Sequence, residues 1–123
     1  MSKTVTKIID NISLAGASTS TLSQCDAIDT SNVIYIEIEA VATYHTSAAS
    51  GVSIAVYGAT TDSESVFGTY PIEQFNLPFT ANTTQRWSRY VAPGEKYMRV
   101  LVDNLEDTQT ASSISVYATT MTL

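Results

Sequence analysis

The sequence predicts an all-β fold, a single antiparallel β-sandwich or jelly roll of about seven or eight strands. Apolar residues recur with a period of two in several segments, and polar connections rich in Ser and Thr separate these segments at regular spacing. No window shows the 3.6-residue period of a long amphipathic helix. Because 123 residues are enough to bury one hydrophobic core, we expect one domain over residues 1–123.

The N-terminal segment KTVTKIIDNISL predicts a first strand whose alternation breaks at Ile8 and Ile9. We therefore interpret residues 1–12 as an N-terminal arm or an edge strand. The following segment, TLSQCDAIDTSN, is the best candidate for a helix, but it is short and carries few apolar positions.

The clearest alternation lies in NVIYIEIEAVATYH, residues 32–45. Ile36 and Ile38 point to one side of this strand, and Glu37 and Glu39 point to the other. The segment VSIAVYGAT repeats the pattern at residues 52–60. Because the connection TSAASG is short and ends in glycine, we predict that the two strands form an antiparallel hairpin.

The second half of the chain predicts a further hairpin, formed by KYMRVLVDNL and SISVYATTMTL around the polar connection NLEDTQTAS. Two shorter strand candidates, SVFGTYPI and RWSRYVAP, contain proline near their ends. The segment YPIEQFNLPFTANTTQ is the longest irregular stretch, and we predict a loop that covers an end or an edge of the sandwich.

The composition excludes several function classes. A net charge of −6 argues against nucleic-acid binding, because a basic surface is needed to neutralise phosphates. No apolar run approaches the ~20 residues of a membrane-spanning helix, and the N-terminus lacks the apolar core of a signal peptide. We therefore expect synthesis in the cytoplasm and no nucleic-acid or membrane partner.

The residue types that perform chemistry are scarce. His45 is the only histidine and Cys25 is the only cysteine. A single cysteine excludes an internal disulfide, and one His with one Cys cannot form a typical zinc site. The acidic stretches TTDSES and DNLED lack the spacing of a calcium-binding loop, and neither a nucleophile elbow nor a P-loop occurs. We predict a protein without catalytic residues, cofactor or metal, and therefore not an enzyme.

Positive charge is concentrated in QRWSRYVAPGEKYMRV, residues 85–100. This segment holds four of the six Lys and Arg residues of the chain: Arg86, Arg89, Lys96 and Arg99. If two strands bracket a turn at Pro93-Gly94, the four cations form one positive band. Two compatible interpretations stay open, namely pairing with carboxylates such as Glu37 and Glu39, and contact with an acidic face of another subunit.

Aromatic residues near this band supply candidate contacts. Trp87, Tyr90 and Phe79 are suited to anchoring a protein interface. Stacking of sugars on Trp87, Tyr90 or Tyr97 is the alternative, and ordinary strand positions are a third interpretation. The predicted interface set is Arg86, Trp87, Arg89, Tyr90, Lys96, Arg99 and Phe79.

The order of segments resembles the capsid decoration (cement) proteins of tailed bacteriophages. The resemblance lies in VIYIEIEAVATY, VSIAVYGAT, APGEKYMRVLVDNLED and SISVYATTMTL, and it covers most of residues 30–123. It implies a non-enzymatic virion protein, made in the host cytoplasm, that binds the outer capsid surface as a homotrimer and bridges subunits of the major capsid protein. The alternative function is a carbohydrate-binding or receptor-binding module, including one associated with a tail or fibre.

Overall fold

The computed structural model describes residues 1–67 and 70–123, and eight β-strands lie within these ranges. The strands are β1 (Ser2–Leu14), β2 (Ile28–Asp29), β3 (Val33–Tyr44), β4 (Val52–Ala59), β5 (Glu73–Asn76), β6 (Thr84–Val91), β7 (Tyr97–Asn104) and β8 (Ala111–Thr122). The helix candidate holds only a 3-10 turn, Leu22–Gln24. Within the described ranges, no helix is long and apolar enough to cross a membrane.

The strands form two antiparallel sheets of four. The first sheet has the order β1-β8-β3-β6, and the second has the order β2-β7-β4-β5. Strand pairs 1–8, 2–7, 3–6 and 4–5 are neighbours, which is the nested order of a jelly roll. The predicted β-sandwich is confirmed.

Both predicted hairpins are wrong. β3 pairs with β6 and β8, whereas β4 pairs with β5 and β7, so the connection at residues 45–51 crosses from one sheet to the other. Likewise, β7 lies in the second sheet and β8 lies in the first, so the connection between them also crosses from one sheet to the other. Crossing brings the apolar face of each strand against the apolar face of the next, and this buries both faces in one core.

The core lies between the two inner faces. Its fully buried members include Ile9, Ile38, Ile54, Val100 and Val116, which come from five different strands. Burial of each such side chain stabilises the fold by about 1.5–3 kcal/mol. The period-two pattern of the sequence therefore identifies the inner faces of β3, β4, β7 and β8 correctly.

The first strand is an edge strand with an irregular middle. β1 pairs with β8 from Ser2 to Leu14, and the register shifts between Lys7 and Ile9. This shift allows both Ile8 and Ile9 to be buried, which explains why the sequence alternation breaks there. Residues 2–7 are exposed although they are paired with β8.

Two of the less regular segments differ from their predictions. The expected loop over residues 70–85 contains β5, which pairs with β4 at the edge of the second sheet and buries Phe75. The predicted strand SVFGTYPI includes Gly68 and Thr69, which lie outside the described residues, and its described remainder forms bends and turns. Periodicity misses β5 because only four residues take part.

Candidate interaction surface

β6 carries four of the seven predicted interface residues, and it is the outermost strand of the first sheet. It pairs only with β3, and Val91 is its one buried residue. Residues 84–91 form no further backbone hydrogen bond within the described part of the chain. The outer edge of β6 is therefore accessible, and unpaired edges of this kind are sites of association in β proteins.

The two aromatic residues of β6 lie on opposite sides of the strand. Trp87 stands opposite the buried Ala40, so it points to the inner side, whereas Tyr90 stands opposite Glu37 on the outer side. Trp87 is 49 % exposed, and Tyr90 is 51 % exposed. Because they face apart, the two rings cannot form a single flat platform for one sugar residue.

Arg86 pairs with a neighbouring strand of its own sheet. Its Nη1 atom lies 2.7 Å from Oε1 of Glu39 in β3. The pairing interpretation of the sequence is thus confirmed for this arginine. Both side chains are partly exposed, so the pair contributes at most about 1 kcal/mol to stability.

Arg89 spans the open edge between the two sheets. Its Nη1 atom lies 3.5 Å from Oε1 of Glu73 in β5, and its guanidinium lies 5.6 Å from the centre of the Phe75 ring. Arg89 therefore connects the edge strands of the two sheets. Its side chain is 45 % exposed and lies on the inner side of β6, opposite Ile38.

Arg99 is held inside the molecule. Its side chain is 15 % exposed, and Nη1 donates hydrogen bonds to the carbonyl oxygens of Leu22, at 2.8 Å, and Cys25, at 2.9 Å. Its Nη2 atom lies 3.0 Å from Oδ1 of Asp62. Arg99 thus ties the 3-10 turn to the central strand β7, and these contacts use the donors that a partner would need.

Lys96 lies just before β7, where its Nζ atom is 5.3 Å from the centre of the Tyr97 ring. The four cations therefore belong to two different sheets, with Arg86 and Arg89 on β6 and the other two at β7. The predicted single positive band is wrong, because the chain crosses between the sheets after β6. The interface role of the individual residues stays a prediction.

Phe79 covers one end of the sandwich. It lies in the connection between β5 and β6, and its ring centre is 5.1 Å from that of the buried Tyr44. The Tyr44 hydroxyl in turn accepts a hydrogen bond from the backbone N–H of Val52. Packing at the end of the sandwich therefore accounts for Phe79, although part of its ring stays exposed.

The two scarce residue types occupy ordinary positions. Cys25 is buried, and its Sγ atom accepts a hydrogen bond of 3.3 Å from the backbone N–H of Val100. Burial raises the pKa of the Cys25 thiol to about 11, which opposes formation of the nucleophilic thiolate. His45 is exposed at the end of β3, and its Nδ1 atom accepts a hydrogen bond from the backbone N–H of Ser47.

The described residues contain no cluster of His, Cys, Asp and Glu that is suited to hold a metal ion. Two shallow clefts lie at the open sides of the sandwich. One, of about 170 Å³, lies between β1 and the segment 26–29, and the other, of about 300 Å³, lies beside Glu73 and Val91. Their volumes lie below or at the lower end of the ~300–1,000 Å³ typical of small-molecule sites.

The acidic stretch DNLED, which the sequence presents as a solvated loop, holds a buried polar network. Asn104 is 2 % exposed, and its Nδ2 atom donates to the carbonyl oxygens of Leu14, Ala15 and Gln109. The Glu106 carboxylate accepts the backbone N–H groups of Ala49, Thr108 and Gln109.

This network joins three loops at one end of the sandwich. The backbone N–H of Gln109, followed by those of Thr108 and Ala49, lowers the pKa of Glu106 below its ordinary value. No local sequence signal distinguishes Glu106 from a solvated glutamate, because two of the segments it joins lie far apart in the chain. The network holds these loops together and includes no residue of β6.

No protein-family model matches the chain, and no curated protein is similar to it in sequence. Solved structures of similar fold do exist. The VP2 subviral particle of infectious bursal disease virus matches with a TM-score of 0.60 and 12 % identity, over 98 % of this chain and 32 % of that chain. The PBSX exported protein XepA matches with a TM-score of 0.59 and 14 % identity, over 98 % of this chain and 37 % of that chain.

The cleaved adhesin domain K1 of Lys-gingipain from Porphyromonas gingivalis W83 is a similar structure of matching length. Its TM-score is 0.55 and its identity 13 %, over 100 % of this chain and 99 % of that chain. At such identities the comparisons establish the β-sandwich fold alone. This fold is shared by a viral capsid protein, an exported protein and an adhesin domain.

Proposed function

We propose that this protein is a non-enzymatic structural protein of a virion, which binds the outer surface of a capsid and bridges subunits of its major capsid protein. The observation that carries the proposal is the accessible edge strand β6, with half-exposed Trp87 and Tyr90 on its two sides. Trp and Tyr are the residues most enriched among those that dominate protein interfaces.

The contact is made through the edge of the sandwich. A standard protein interface buries about 1,600 Å² in total, which is within reach of an eight-residue edge strand together with its flanking loops. Arg86 lies on the same strand and adds polar contacts at the rim of the interface. Its ion pair with the partly exposed Glu39 is weak, so Arg86 can exchange Glu39 for a group of the partner at little cost in free energy. Arg99 contributes indirectly, by holding the 3-10 turn against β7.

The positions of the scarce residue types support a role without catalysis. Cys25 has a buried thiol with a raised pKa, and His45 lies exposed on a loop at the end of β3. The similarity in fold to a viral capsid protein is compatible with a virion location. The homotrimer that the resemblance to decoration proteins implies stays a prediction.

The test is co-sedimentation with capsid shells assembled from the major capsid protein of the same genome. We expect Trp87→Ala to weaken binding by at least about tenfold, because a buried interface tryptophan contributes about 2 kcal/mol or more. Tyr70→Ala is the matched control, since Tyr70 is an exposed aromatic residue outside the strands. Equal binding by both variants and the unmodified protein contradicts a role of β6, and absence of binding by the unmodified protein contradicts decoration itself.

A carbohydrate-binding or receptor-binding module is the second candidate, and the half-exposed ring of Trp87 is the observation that favours it. Because Trp87 and Tyr90 face opposite sides of β6, a sugar would stack on one ring only. Trp87 is the single tryptophan of the chain, so its fluorescence reports directly on such stacking. A saturable change with a member of a glycan panel supports this candidate, and no change with any glycan contradicts it.

A further inference from the structure

The outer face of the first sheet, turned away from the core, carries an ordered arrangement of charges. It is formed by alternate residues of β1, β8 and β3. One row across β1, β8 and β3 consists of Lys3, Met121 and Tyr35. The next row on the same face consists of Val5, Thr119 and Glu37. Lysines of β1 and glutamates of β3 thus lie on either side of the uncharged residues of β8, and Arg86 of β6 lies beyond them beside Glu39.

Two charges of this face form no ion pair within the described part of the chain. They are Lys3 and Glu37, whereas Lys7 pairs with Asp10 at 3.3 Å and Glu39 pairs with Arg86. Lys3 and Glu37 are separated by two strands and by two residues along the strand, which places their Cα atoms about 12 Å apart. The fold therefore leaves a cation and an anion on one face without bringing them together.

We infer that two copies of this chain associate face to face through this outer face, about a two-fold axis. The axis lies in the contact plane and passes through the midpoint of the line from Lys3 to Glu37, perpendicular to that line. Rotation about this axis exchanges the position of Lys3 with that of Glu37. Lys3 of each copy then lies over Glu37 of the other. Packed sheets are ~10 Å apart, which the two long side chains can span.

The centre of this contact is uncharged. The midpoint falls on β8 between Thr119 and Met121, and Val5 and Tyr35 lie beside it. Val5 is 64 % exposed, so its apolar side chain is available to a second copy. Met and Tyr are enriched in interface cores, and the charged pairs at the rim set the register.

A second copy fits this face better than a partner of uniform charge. A basic partner surface would place like charges over Lys3, and an acidic one would place them over Glu37, whereas the two-fold arrangement pairs both charges at once. Capsid binding is tested separately through Trp87, which points away from this face, whereas Tyr90 stands opposite Glu37 and borders it.

The test is the mass in solution, measured by size exclusion with light scattering over a range of concentrations and at low and moderate salt. We expect a dimer of about 27 kDa, twice 13.3 kDa, which dissociates more readily as salt screens the two pairs. A monomer at every concentration overturns the inference. A trimer also overturns it and supports the homotrimer that the resemblance implies.

Charge reversal makes the test specific. Lys3→Glu and Glu37→Lys should each raise the dimer dissociation constant by at least about tenfold, because each places like charges in contact. An equimolar mixture of the two variants should dimerise again, since every Glu at position 3 then faces a Lys at position 37. This recovery also shows that both variants are folded.

The matched controls are Lys96→Glu and Glu64→Lys, which make the same charge changes at positions outside the first sheet. We expect both to remain dimeric. If the controls dissociate as much as the two variants, or if the mixture stays monomeric, net charge rather than this face controls association and the inference is wrong. Particle binding measured with Trp87→Ala tests the proposed function separately.

Discussion

At the scale of single residues, arginines of similar appearance in the sequence have different roles. Arg86 and Arg99 both alternate with apolar or aromatic residues in strand-forming segments. Arg86 lies on the surface with one carboxylate partner, whereas Arg99 is mostly buried and makes three hydrogen bonds. The difference arises because Arg86 lies on an edge strand, whereas the 3-10 turn and Asp62 pack over Arg99.

We predict that Arg99→Ala lowers the free energy of unfolding by about 2–3 kcal/mol, because two partly buried carbonyl oxygens lose their charged donor. Arg86→Ala should lower it by at most about 1 kcal/mol. Urea denaturation of the two variants measures both values. Equal losses would show that Arg99 does not hold the 3-10 turn to β7.

Glu106 gives the stability a defined pH dependence. Its pKa in the folded protein lies below the ordinary value of 4.5, so its ionised form stabilises the fold. This contribution is present in full above the unfolded-state pKa and is lost as the pH falls through the lowered pKa of the folded state.

We therefore expect Glu106→Gln to be less stable than the unmodified protein at neutral pH, with a difference that shrinks as the solution becomes more acidic than about pH 4.5. Thermal unfolding across this range measures the difference. Glu64→Gln, in the exposed connection after β4, should show no such pH-dependent loss. A constant difference for Glu106→Gln at every pH would contradict the role of the charge.

At the scale of elements, the sequence identifies strands but not their partners. Alternation of apolar and polar residues marks β3, β4, β7 and β8, because each long strand has one inner face. The same alternation is compatible with a hairpin and with a crossover between sheets. Short β5 and the two-residue β2 are not visible to periodicity at all, since hydrogen bonds to neighbouring strands define them.

A disulfide tests the strand pairing directly. Thr43 and Thr84 are opposite each other in β3 and β6, and their hydroxyl groups are 2.8 Å apart. We expect the double variant Thr43→Cys, Thr84→Cys to form an intrachain disulfide on mild oxidation, seen as a mass loss of two hydrogens.

The control is the pair Thr43→Cys, Ser53→Cys, which joins strands that a β3–β4 hairpin would make neighbours. Because these strands lie in different sheets, this pair should stay reduced under the same conditions. Cys25 is buried and should not compete. Oxidation of the control pair alone would favour the hairpin over the crossover.

At the scale of the whole molecule, the jelly roll distributes the charges that the sequence concentrates. The basic segment 85–100 is continuous in the chain, but its two strands end in different sheets. Conversely, Lys3 and Glu37 are far apart in the chain and share one sheet face. The molecule therefore presents two adjoining surfaces, the edge of β6 for a partner and the outer face of the first sheet for a second copy, and Tyr90 lies where they meet.

The amino-acid sequence by itself determined the all-β class, the inner faces of β3, β4, β7 and β8 and the scarcity of catalytic residue types. These properties depend on composition and on the two-residue repeat of a strand, which are local. Only the tertiary structure decided which strands are neighbours, that Arg99 and Glu106 are structural, and that the four cations do not form one band. Each of these depends on contacts between residues distant in the chain, and such contacts are set by how the two sheets bury their apolar faces against each other.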